Sequence, residues 1–148
     1  MGEVTALNGG AFERRIVALR VLSTFELRCD GRVVELPGQA ERVLTLLALH
    51  DGRDQRITVA STLWPDTTER RASANLRTAL WKLGQSVPHV LRTSRTHLAL
   101  ADDVEVDLAA LVGQAQRLIR GDDLRDDDLD TAWLTADLLV DRDEEWLV

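Results

Sequence analysis

The 148-residue chain is long enough for one ordinary domain with an appendage, and its 45% hydrophobic content can fill a core, which excludes wholesale disorder. A single cysteine, Cys29, excludes an internal disulfide, and the densest apolar run, residues 43–49, is far too short to cross a bilayer. The net charge of −7 averages two unlike parts: residues 1–101 carry 14 Lys/Arg against 10 Asp/Glu, whereas residues 102–148 carry 4 against 15.

Residues 1–15 lack the apolar run of a secretory signal and are expected to be a flexible N-terminus of a cytoplasmic protein. Residues 16–36, "IVALRVLSTFELRCDGRVVEL", predict two or three short antiparallel strands, with a hairpin turn at Asp30-Gly31. "PGQ" at 37–39 breaks that pattern. Residues 40–50 then place Val43, Leu44, Leu46, Leu47 and Leu49 as a largely buried helix would, and Gly52 stands where the last turn should stop. Residues 56–64 predict a short strand followed by a short helix, capped by Thr58 and finished before Pro65. Pro65–Thr68 is a turn, and Asp66 or Thr68 caps the next helix, which Gly84 is expected to end. Residues 89–100 alternate apolar and polar about a tip near Thr93–Thr96 and predict a hairpin. Beyond "ADDVEVD", a composition break near 102, residues 107–120 are amphipathic and helical. Residues 121–130 are expected to form an acidic linker, and residues 129–140 a further helix.

The helix at 69–83 carries two faces. At about 100° per residue, Ala72, Leu76, Ala79, Leu80 and Leu83 gather on one side, while Arg70, Arg71, Ala74, Asn75, Arg77, Thr78, Trp81 and Lys82 gather on the other. From Arg70 through Ala101 there are six basic residues and no acidic one. A polar helix face is ordinarily a solvated one, but such faces usually mix signs. The element order, strands, helix, short strand, short helix, turn, longer helix and hairpin, is that of a winged helix-turn-helix with an N-terminal antiparallel sheet and a C-terminal β-hairpin wing, an α+β fold, followed by an all-α segment. In that fold the second helix lays its outward face into the DNA major groove. Arg and Lys suit guanine or phosphate there, and Asn suits adenine. The candidate DNA-binding residues are therefore Arg70, Arg71, Ser73, Asn75, Arg77, Thr78 and Lys82 on the helix, with Arg92, Thr93, Arg95 and Thr96 on the hairpin.

"LWPD" at 63–66 followed by "RRASANLRTALWKL" at 70–83 resembles the DNA-binding domain of the Streptomyces antibiotic regulatory protein (SARP) family, which has an OmpR-like winged helix. Trp64, Pro65, Asn75, Leu76, Arg77, Leu80 and Leu83 carry the match, and "LRVLSTFELRCDGR" at 19–32 resembles the family's opening strands. "VEVDLAAL" and "LLVDRDEEWLV" resemble parts of its bacterial transcriptional activation domain. The resemblance implies an activator of transcription that binds repeats in double-stranded promoter DNA, self-associates on them and contacts RNA polymerase holoenzyme. It implies a winged-helix domain at 16–101 and, at 102–148, a truncated activation-domain segment. Trp81 and Gly84 depart from the family pattern, which more often has Ser and Arg there, and Val140, Asp141 and Arg142 replace a Pro-Gly-Trp-like turn.

Other chemistry finds little support. A calcium loop begun at Asp126 would put Thr131 where glycine is needed and Asp137 where glutamate belongs. His50, His89 and His97 have no metal-ligand spacing, so no metal, cofactor or enzymatic activity is expected. Six aromatics without a tyrosine disfavour a base-stacking sheet for single strands. Trp64 is expected in the core. Trp81 falls on the polar side, and the expected role is packing beneath the hairpin or the following segment rather than contact with a sugar-phosphate backbone. The alternative to DNA binding is a winged-helix protein-interaction module in which Trp81 and the acidic helices make the contact.

Overall fold

The computed structural model describes residues 15–121. The expectations for the N-terminus before Arg15, for the acidic linker and its calcium alternative, and for the helix at 129–140 and the closing motif lie outside the described residues.

The described chain is α+β. Strands β1 (Val17–Arg20), β2 (Glu26–Cys29) and β3 (Arg32–Val33) form an antiparallel meander. Its tight turn is the expected one: Asp30 and Gly31 both take positive φ, 52° and 79°, the mirror-image turn whose twist matches that of the strands. On β2 the Arg28 guanidinium, 2.6 Å from Glu26, holds that carboxyl below its usual range.

Helix α1 (Gly38–Leu49) follows Pro37 at its N-cap. It is buried almost all round from Val43 to Ala48, because it lies at the centre of the core, with the later helices and the second sheet packed about it. A left-handed Asp51, φ 57°, ends it, and the Gly52 N–H returns to the Leu47 carbonyl at 2.7 Å. Strand β4 (Arg53–Gln55) comes next, then α2 (Arg56–Leu63). The strand thus lies before residue 56, and the helix starts two residues ahead of the expected Thr58 cap. The reason is pairing: Arg53, Asp54 and Gln55 sit opposite Ala99, Leu98 and His97, and the Arg56 N–H continues to the Thr96 carbonyl. Helix α3 (Glu69–Ser86) follows the turn at Pro65–Thr68, and strands β5 (Leu91–Thr93) and β6 (His97–Leu100) form the hairpin.

Two expectations are corrected here. The N-terminal sheet is mixed rather than antiparallel, because β7 (Val104–Val106) pairs parallel to β1 in the order β3-β2-β1-β7. A parallel pair needs a long connection, and here the whole body from α1 to β6 provides it. The sheet therefore runs across the composition break at 102, and the stretch after it is not all-α: β7 precedes α4 (Asp107–Arg120). Asp107 fastens this join by accepting hydrogen bonds from the backbone N–H groups of Val21 (3.0 Å) and Leu22 (3.1 Å). Among the described residues no helix is long and apolar enough to cross a membrane.

Candidate functional site

Helix α3 takes its orientation from its inner stripe. Ala72, Leu76, Ala79 and Leu83 are buried, and Leu80 is half-buried against the same core. Each fully buried leucine contributes about 1.5–3 kcal/mol, so rotating the helix would cost more than its surface charges could return. At the start of α3 the Thr68 hydroxyl accepts from the Arg71 N–H at 3.3 Å, the cap expected from sequence. At the other end the helix passes Gly84 and runs on to Ser86. Val87, buried and hydrogen-bonded to the Leu83 carbonyl, draws the last turn inward, and that anchoring outweighs the glycine.

The buried stripe leaves Arg70, Arg71, Arg77, Thr78 and Lys82 exposed, while Ser73 and Asn75 are half-buried on the flanks. Among the described residues no carboxylate pairs with Arg70, Arg71, Arg77, Lys82 or Arg95. Four exposed cations on one helix thus raise a positive local field in an acidic chain.

The hairpin flanks the C-terminal half of α3. Its tip is held by Ser94, whose N–H donates to the His97 carbonyl (2.9 Å) and whose Oγ accepts from the N–H groups of Thr96 (3.3 Å) and His97 (3.0 Å). That arrangement presents Arg95 at the apex, with Thr93 and Thr96 exposed beside it. Between α3 and the hairpin runs a groove of about 350 Å³, lined on its polar side by Arg56, Arg77, His89 and Thr93 and closed by Trp81 and Leu91.

Three features escaped the sequence reading. Arg92 does not stand alone: its guanidinium meets Asp102 at 2.6 Å, just past the end of the acid-free window. Arg56 joins the groove because its N–H and guanidinium bond the Thr96 and Ser94 carbonyls, at 2.8 and 3.2 Å. No local pattern marks it, since these contacts span about 40 residues of sequence. Trp81 borders the groove beside the hairpin but is 65% exposed rather than packed, whereas Trp64 is buried as expected.

No group of three or more His, Cys, Asp or Glu side chains among the described residues is placed to hold a metal ion. No protein-family model matches the chain, and no curated protein matches it either.

Proposed function

We propose that this chain is a sequence-specific, double-stranded DNA-binding transcriptional regulator of winged-helix type, with α3 as the helix that enters the major groove and the β5–β6 hairpin as the wing. The observation that carries the reading is the pairing of chemistries on α3. A buried apolar stripe fixes the helix, and the opposite side offers exposed cations that no described carboxylate neutralises. A duplex is a polyanion whose major groove is wide enough to admit an α-helix. Phosphate contacts from Arg70, Arg71, Lys82 and the Arg95 tip would position the helix, and Arg77 and Asn75 would read base edges. The resemblance to SARP-type activators extends this to a cytoplasmic activator that binds promoter repeats as more than one copy and contacts RNA polymerase holoenzyme.

The test is selection of bound fragments from random duplexes, repeated at two ionic strengths, followed by gel-shift titration. Arg77→Ala should weaken binding to the selected duplex by about 1–3 kcal/mol and relax the choice of base at one position. Equal binding by the variant would count against the assignment. One observation favours a second reading, a protein-interaction module: the large exposed surface of Trp81. Binding to a protein that ignores salt, with no preference for duplex, would favour it.

A further inference from the structure

The outward side of α3 is not uniformly cationic. Going round it at about 100° per residue, the order is Arg77 and Arg70, then Trp81, Ala74 and Thr78, then Arg71 and Lys82. Gln85 also falls in the middle, one turn beyond Trp81. The cations therefore form two rails, and between them runs a strip of Trp81, Ala74 and Thr78, with the Gln85 amide at the C-terminal end. Trp81, 65% exposed, lies at the edge of this strip beside the Arg77–Arg70 rail. The Thr78 hydroxyl donates to the Ala74 carbonyl at 3.1 Å, which commits its proton to the helix and leaves its methyl group to face a partner. The indole N–H of Trp81 is a donor only, suited to a base or phosphate acceptor.

An apolar strip framed by positive rails has a counterpart in duplex DNA. Phosphates line both walls of the major groove, and the one apolar group on its floor is the thymine C5-methyl. Resting on the duplex-binding reading above, we infer that Trp81, with Thr78 and Ala74 beside it, reads thymine methyl groups and so supplies part of the sequence choice. Arg77 and Asn75 supply the hydrogen-bonded part. Trp81 is then a specificity-determining residue, and its exposure is the free state of a contact surface.

The test replaces thymines of the selected duplex by uracil one at a time. This removes the methyl and keeps base pairing and every hydrogen-bonding group. Wild-type protein should lose about fourfold in affinity at one or more positions, the value of one buried methyl-sized group. Trp81→Ala should bind the thymine and uracil duplexes at that position equally, and Trp81→Phe should retain part of the discrimination. Thr78→Ser keeps the hydroxyl that bonds Ala74, so it leaves the helix intact, and it should abolish discrimination at a neighbouring thymine only. Salt-sensitive duplex binding that is indifferent to uracil everywhere, or discrimination that survives Trp81→Ala at every thymine, would overturn the inference and leave the DNA-binding reading standing. Absence of any salt-sensitive duplex binding by the wild-type protein would overturn both.

Discussion

Arg77 stands at the mouth of the groove between α3 and the hairpin, exposed and without a described carboxylate beside it. Arg95 occupies a different position, the exposed apex of a tip held by Ser94, which the proposed reading assigns to a phosphate contact. The two should therefore fail differently. Arg95→Ala should reduce the salt slope of duplex binding by about one with little change in sequence preference, measured by titration at several salt concentrations. Arg92 makes a third case, because Asp102 already holds it at 2.6 Å. Both partners are largely exposed, so the ion pair itself adds little stability. Its consequence is electrostatic competition. Asp102→Asn should leave the melting temperature unchanged, tighten duplex binding and steepen its salt dependence, all of which the same titrations would show. The acid-free window from 70 to 101 gave the charge pattern correctly, but it could not disclose a partner lying one residue outside it.

At the scale of elements, α3 depends on a cap at one end and an anchor at the other. Thr68→Ala removes the hydroxyl that accepts the Arg71 N–H and should cost about 1 kcal/mol in a denaturant titration. The sequence made much of this layer legible. The Asp30-Gly31 turn, the inner stripe of α3 and the hairpin tip each follow from short-range rules of period and turn chemistry, which need no knowledge of distant partners. The errors have a common physical origin. Gly84 is a reasonable stop in isolation, but buried Val87 three residues on continues the helix. Strand β4 reads Arg-Asp-Gln, with no apolar alternation, and exists because β6 supplies its hydrogen bonds. Trp81 was expected to pack under the hairpin or the following segment, although its place in the 3.6-residue period put it on the polar side; it is 65% exposed. The period decided.

At the scale of the whole molecule, the composition break at 102 and the hydrogen-bonded boundary do not coincide. Val104–Val106 completes the first sheet from the far side of that break, and Asp107 ties α4 to the end of β1 across 86 residues of sequence. A three-residue strand with a parallel partner that distant leaves no local signature. Asp107→Ala would strand the part-buried N–H groups of Val21 and Leu22 and should cost about 1–3 kcal/mol of stability, whereas a mere surface residue would cost within about 0.5. On the proposed reading, cations on one fixed helix face give a chain of net charge −7 an affinity for duplex DNA. Its most direct test is equilibrium binding of the selected duplex measured across a range of monovalent salt. The logarithm of affinity should fall linearly with the logarithm of salt, with a slope of about −0.9 for each phosphate neutralised and several phosphates engaged. A flat line, or no duplex binding at low salt, would contradict the account.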